Sequence, residues 1–123
     1  MRISIDQKSG VPLYRQIIES VKFAIAGGDL TPGDKLPTVR QLAVDLEVNP
    51  NTVIRAYREM EIEGVLDPQQ GSGTFVTDDR PEIDALERAR MLDQILTELM
   101  ARGSAYGFTL DEVLDGLHQL KEE

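Results

Sequence analysis

Apolar residues recur every three to four positions near the start of the chain, which is the spacing of one face of an α-helix. The first such series is Leu13, Ile17, Val21 and Ile25. It predicts a helix that Pro12 opens and the Gly27-Gly28 pair ends. The alternating stretch Ile3-Ser4-Ile5 precedes this helix and is interpreted as a small strand or as an arm lying on the domain.

A second helix is predicted to start at Thr38, because Thr38 and Gln41 have the spacing of a capping box. One side of this helix is apolar, formed by Val39, Leu42, Ala43 and Leu46. A tight break follows at Glu47-Val48. A glutamate at this break would be strained if its backbone is left-handed.

A third helix is predicted from Asn49 to about Ile62, with Asn49 as N-cap and Pro50 at the first helical position. Gly64 is a natural C-cap. Two strands are predicted next, Val65–Asp67 and Thr74–Thr77, and a turn through Gln70, Gly71, Ser72 and Gly73 joins them. Three helices followed by a hairpin are the element order of a winged helix-turn-helix.

The polar segment 78–81 is the best boundary in the sequence. It separates a winged helix-turn-helix, residues 1–78, from a two-helix segment, residues 79–123. The first of these helices is marked by Ile83, Leu86, Leu92, Ile95, Leu96 and Leu99 and ends near Gly103. Thr109 and Glu112 form a second capping box, and the last helix carries Val113, Leu114, Leu117 and Leu120. The fold class is therefore mainly α with a small β-hairpin wing (α+β).

The charge is distributed unevenly between these segments. The whole chain has a net charge of −9, which argues against contact with phosphates at first sight. Residues 79–123 hold five basic and eleven acidic residues, whereas residues 1–78 hold eight basic and eleven acidic residues. Within 35–58 the local net charge is +2. The acidity thus lies mostly away from the second and third helices.

The third helix has the residue types that a DNA-recognition helix needs. Its apolar positions cluster on one side, and Asn51, Arg55 and Arg58 lie on the other with Thr52 beside them. Arginine can donate two hydrogen bonds to guanine, and asparagine can pair with adenine. The alternative is a solvated helix in which the arginines pair with Glu59 or Glu61.

The start of the second helix and the wing complete the candidate DNA surface. Lys35, Thr38 and Arg40 are suited to phosphates, since a helix N-terminus also favours anions. The glycines of the wing turn allow a close approach to the duplex. The candidate DNA-binding set is Lys35, Thr38, Arg40, Asn49, Asn51, Thr52, Arg55, Arg58, Gln70, Gly71, Ser72 and Gly73.

The segment LPTVRQLAVDLEVNPNTVIRAYREMEIEGVLDPQQGSGTFV, residues 36–76, resembles the GntR family of transcription regulators. The preceding residues 12–37 resemble the family as well, so about two thirds of the chain is covered. The resemblance implies that Arg40, the stretch Asn51–Arg55 and the wing around Gly71 contact double-stranded DNA.

The short C-terminal part resembles the YtrA-like subfamily, in which this region dimerises the protein. A segment of 45 residues is also too small to be stable by itself. We therefore expect a homodimer built on Ile83, Leu86, Leu92, Ile95, Leu96, Leu99, Val113, Leu114 and Leu117. These residues could instead fold back on the N-terminal domain. A two-fold dimer would match a palindromic operator.

Other function classes find little support. There is no cysteine, and Gly71-Ser72-Gly73 lacks the lysine of a phosphate-binding loop. His118 is the single histidine, so no metal site is expected. No serine or threonine has a convincing base partner, so no catalytic site is expected, and no cofactor is implied. The chain shows no secretion signal or membrane span, which favours the cytoplasm. We expect a DNA-binding repressor, with a small-molecule effector left open; the alternatives are a protein-interaction module without DNA binding and, less supported, an enzyme.

Overall fold

The computed structural model describes residues 3–78 and 83–122. Contacts divide the chain into two compact units, residues 1–80 and 81–123. The first unit contains α1 (Leu13–Ala26), α2 (Val39–Leu46), α3 (Pro50–Ile62), β1 (Leu66–Gln69) and β2 (Gly73–Val76), and the second contains α4 (Ala85–Ala105) and α5 (Leu110–Glu122). The predicted fold class, mainly α with a hairpin wing, is confirmed.

Side-chain caps begin most of these helices. The capping box at α2 is formed in both directions: the Gln41 N–H donates to Thr38 Oγ1 at 3.1 Å, and the Thr38 N–H donates to Gln41 Oε1 at 3.0 Å. At α3, Asn49 Oδ1 accepts from the Asn51 N–H at 2.8 Å. Each cap satisfies an N–H group that has no partner inside its helix.

The turn between α2 and α3 is left-handed at Glu47, where φ is 56°. The Val48 N–H donates to the Ala43 carbonyl at 3.0 Å, and the Glu47 N–H donates to the Val44 carbonyl at 3.2 Å. These two bonds form a Schellman motif, which needs a left-handed residue just after the helix. Gly64 and Gly107 occupy the same position after α3 and α4 with positive φ.

One apolar core holds the first unit together. Its buried side chains come from all three helices, both strands and the loop before α2: Ile17, Ile18, Val21, Ala24, Leu30, Leu36, Leu42, Ala43, Val53, Ala56, Tyr57, Met60, Leu66 and Val76. Ile3 and Ile5 pack against this core without forming a strand, so the N-terminal stretch is an arm.

The wing differs in its boundaries from the prediction. β1 and β2 are antiparallel and pair from Leu66↔Val76 to Gln69↔Gly73, so the turn has three residues and Gly73 belongs to β2. Lys35 forms an isolated antiparallel bridge with Phe75. The sequence did not suggest this contact, because a single bridge between residues forty positions apart has no repeating pattern.

The second unit is a pair of helices. A Cβ placed on Gly103 would lie 3.6 Å from Val113 Cγ2 and 3.8 Å from Phe108 Cβ. The sequence predicted that this helix ends near Gly103, whereas α4 continues through Gly103 to Ala105. Among its described residues no side chain is buried. The predicted linker residues 79–81 lie outside the described residues.

Candidate nucleic-acid interface

The recognition helix α3 is fixed to the rest of the domain by Tyr57. This side chain is buried, and its hydroxyl donates to the Pro37 carbonyl at 2.7 Å. Burial raises the pKa of Tyr57, so the hydroxyl keeps the proton that it donates. The bond ties the middle of α3 to the residue before the Thr38 cap of α2, and thereby sets the two helices relative to each other.

Opposite the buried side, α3 presents an exposed strip of Asn51, Ile54 and Arg58. The spacing of three and four residues places them on one face. Arg58 has no ion-pair partner among the described residues. Its guanidinium is therefore available to an external acceptor.

Arg55 is held more firmly than its neighbours. Its Cζ lies 3.8 Å from the centroid of the Tyr14 ring on α1, and its Nε lies 3.7 Å from Glu59 Oε1. The Cζ of Arg15 lies 5.8 Å from the same centroid. The cation–π contact is worth about 0.5–1 kcal/mol at an exposed site. It holds the Arg55 guanidinium on the side of α3 that faces α1.

The other predicted residues of α2 and α3 divide into caps and exposed groups. The side-chain oxygens of Thr38 and Asn49 accept the capping bonds described above. Arg40 is exposed in the first turn of α2 and has no ion-pair partner among the described residues. Thr52 is half-buried on α3. Thr38 and Asn49 thus orient helix N-termini.

Lys35 joins the wing to the start of α2. A Cβ on Gly73 would lie 2.7 Å from Lys35 Cε, so the lysine stem crosses the wing where glycine leaves room. The exposed residues Gln70, Gly71 and Ser72 form the wing tip. The Ser72 N–H donates to the Gln69 carbonyl at 2.9 Å, and Gly71 has φ of 81°, which glycine adopts without strain.

Tertiary structure adds three residues that the pattern analysis missed. Tyr14 and Arg15 belong to α1, whose sequence shows only a core face. The prediction did not include Ile54 because it is apolar, yet it is 37% exposed and belongs to the exposed strip of α3. The signal that could have identified Ile54 was its place in the helical period between Asn51 and Arg58.

The residues predicted to mediate dimerisation form apolar faces on α4 and α5. Leu86, Leu92, Ile95, Leu96, Leu99, Leu114 and Leu117 are exposed, whereas Ile83 and Val113 are half-buried. On α4 the exposed fraction is 77% at Leu86, 57% at Leu92 and 59% at Ile95. Apolar side chains at this spacing need a partner surface.

Two features of the described part of the chain concern its acidic and apolar residues. Within it, no group of three or more His, Cys, Asp and Glu residues could hold a metal ion. None of the helices found there has both the length and the apolar character to cross a membrane.

Comparison with known proteins extends these observations. A family model described as bacterial regulatory proteins of the GntR family matches residues 13–76. The chain is 34% identical to the uncharacterised HTH-type transcriptional regulator YhcF of Bacillus subtilis over 94% of both chains. It is 33% identical to the HTH-type transcriptional repressor YtrA of the same organism, over 98% of this chain and 93% of that protein.

Solved structures resemble it as well. YtrA from Sulfolobus acidocaldarius, a GntR-family transcription factor, matches with a TM-score of 0.61 and 36% identity over 80% of this chain and 97% of that one. The DNA-binding domain of AraR in complex with operator ORE1 matches with a TM-score of 0.53 and 28% identity over 63% of this chain and 94% of that one.

Proposed function

The chain belongs to the GntR family of bacterial regulatory proteins, and on this basis we propose that it is a cytoplasmic repressor that binds a palindromic operator as a homodimer. Each winged helix-turn-helix inserts α3 into the major groove of one half-site. The wing and the start of α2 contact the flanking backbone. The family consists of transcription regulators and not of enzymes.

The exposed strip of α3 is the observation that carries this proposal. Arg58 is unpaired among the described residues, and Asn51 lies in the first turn, which enters the groove first in helix-turn-helix proteins. In our assignment Asn51 and Arg58 contact base edges, Arg55 and Thr52 contact the flank of the site, and Asn49 and Thr38 present capped helix ends to phosphates.

The backbone contacts belong to Lys35, Arg40 and the wing. Lys35 and Arg40 supply positive charge on either side of the Thr38 cap. Gln70, Gly71, Ser72 and Gly73 approach the minor groove or the adjacent phosphates. Because the rest of the molecule is acidic, we expect weak binding to non-specific DNA and a strong dependence on the correct site.

Dimerisation is assigned to the apolar faces of α4 and α5. A symmetric pair of these faces would remove the exposed leucines and isoleucines from water. The resulting two-fold axis would present two copies of α3 to half-sites about one helical turn apart.

Selection from a pool of random duplexes tests DNA recognition. We expect the full-length protein to enrich a palindrome. In fluorescence anisotropy, Arg58→Ala should weaken binding to this duplex by about tenfold or more, the usual cost of losing a bidentate base contact. Arg90→Ala, which removes an exposed arginine from α4, should bind like the wild type. If no sequence is enriched, the protein-interaction alternative takes the place of this proposal.

Repression has a separate readout. The name of the Bacillus subtilis relative, a transcriptional repressor, supports it for this chain. In transcription in vitro, placing the selected operator across a promoter should make added protein lower the transcript yield. A scrambled operator in the same template should abolish that effect, and a rise in transcript would identify an activator instead.

A further inference from the structure

The exposed strip of α3 contains one apolar side chain, Ile54. It lies three residues after Asn51 and four before Arg58, so the three side chains share a face. Ile54 is 37% exposed, so part of it is accessible to a ligand. It sits in the second turn of the helix, within the half that leads into the major groove.

The neighbouring arginine does not cover this position. The Arg55 guanidinium is stacked on Tyr14 and lies near Glu59, on the α1 side of the helix. On the side of the strip away from Arg55, the surface that would meet the bases therefore includes Ile54.

An exposed isoleucine does not stabilise this helix unless its side chain contacts a binding partner. It forms helices less readily than alanine, lysine or arginine, and an exposed apolar group gains nothing from water. Its branched Cβ, however, restricts χ1 in a helix to essentially one rotamer, so its methyl groups are held in place before binding. That rigidity suits contact with a fixed apolar target.

The major groove offers one such target, the C5-methyl group of thymine. Opposite guanine, cytosine or adenine, Ile54 would instead cover a hydrogen-bonding base edge and displace its water without providing a partner, which is unfavourable. We propose that Ile54 reads a thymine methyl group, so that each half-site of the operator carries an A·T pair at this position. The inference rests on the operator binding proposed above.

The test replaces thymine by deoxyuridine, which differs only in lacking this methyl group. Each thymine of the selected operator is replaced in turn, in both half-sites together, and binding is measured by fluorescence anisotropy. At one thymine position we expect the replacement to weaken binding of the wild type about fourfold per half-site, because the burial of one methyl group is lost. With both half-sites changed, the expected loss in affinity is about 15-fold. Ile54→Ala should lose less than about twofold for the same replacement.

The matched control is Ile62→Ala, which changes the same residue type at the far end of the same helix, where the side chain is 79% exposed. This variant should show the wild-type pattern of losses. Thermal unfolding of both variants checks that they fold. Failure of the wild type to enrich any sequence would overturn the proposed function and this inference together. If an operator is enriched but no thymine replacement weakens the wild type more than Ile54→Ala, this inference is overturned and the proposed function is not.

Discussion

Glu47 has a left-handed backbone conformation, which residues with a side chain rarely adopt. It has φ of 56°, and the same Schellman position is glycine after α3 and α4. A left-handed non-glycine residue costs about 1–2 kcal/mol. The turn keeps this conformation because the buried side chains of α2 and α3 on both sides of it are locked in the core.

Glu47→Gly should therefore stabilise the protein by about 1 kcal/mol, since the relief of strain exceeds the added freedom of the unfolded chain. Urea unfolding at a fixed protein concentration measures the change in the free energy of unfolding. Glu47→Ala removes the carboxylate and keeps the strain, so it should show no such gain. Equal gains in both variants would mean that charge, and not φ, is responsible.

The side chain of Tyr57 is buried, and its one polar group, the hydroxyl, donates a hydrogen bond to the Pro37 carbonyl. Tyr57→Phe should lower the free energy of unfolding by about 1–2 kcal/mol, because the Pro37 carbonyl loses its partner. The same urea experiment measures it. Tyr106→Phe removes a hydroxyl from a side chain that is 75% exposed and should change stability little. If Tyr57→Phe leaves the free energy of unfolding unchanged, water replaces the hydrogen bond to the Pro37 carbonyl.

At the scale of elements, the wing and the loop before α2 act as one piece. Lys35 bridges to Phe75, the Leu36 N–H donates to the Thr74 carbonyl at 2.8 Å, and the Val76 N–H donates to the Asp34 carbonyl at 2.8 Å. The residues around Lys35 thus form an edge of the hairpin. Movement of the wing must therefore move the lysine that is proposed to contact phosphate.

Gly73→Ala tests this coupling. Gly73 has φ of 126°, and an added Cβ would meet the Lys35 stem at 2.7 Å. We expect lower stability and, for operator binding, a salt-dependence slope that is smaller by about 1, as for one lost phosphate contact. Anisotropy titrations over a range of salt concentrations measure this slope.

Gly28→Ala is the matched control for the wing variant. Gly28 has φ of 84° and nothing within 4 Å of an added Cβ. It should lose stability through the same backbone strain and keep the full salt slope. A reduced slope in both variants would assign the effect to stability and not to Lys35.

At the scale of the whole molecule, the segment with net positive charge and the exposed apolar faces lie in different parts of the chain. The segment with net positive charge, 35–58, lies in the first unit, whereas residues 79–123 hold eleven acidic and five basic residues. The apolar faces of α4 and α5 lie within that acidic segment. This arrangement favours DNA contact by one unit and self-association by the other.

Leu96→Asp should convert the proposed dimer to a monomer, because it would place a carboxylate in the apolar face of α4. Sedimentation velocity measures the change in mass, and binding to the full operator should fall to the level of a half-site. Ala101→Asp adds the same charge on the opposite side of α4 and should remain dimeric. A Leu96→Asp variant that stays dimeric would place the interface elsewhere.

The periodicity and caps of the sequence were sufficient to predict the helices and the hairpin. These features depend on local chemistry: a threonine or asparagine cap, a proline at a helix start and a glycine after a helix act within a few residues of themselves. For the same reason the exposed face of α3 could be inferred from residues 51–58 alone.

Contacts between distant residues were decided by the tertiary structure. Tyr14 and Arg55 are separated by forty-one positions, and Lys35 and Gly73 by thirty-eight, so neither contact leaves a periodic trace in the sequence. Glu47 is left-handed because packing of α2 and α3 outweighs its local preference. Local patterns thus specified which elements form, and packing of the core decided how Arg55 and Lys35 are placed on the proposed DNA surface.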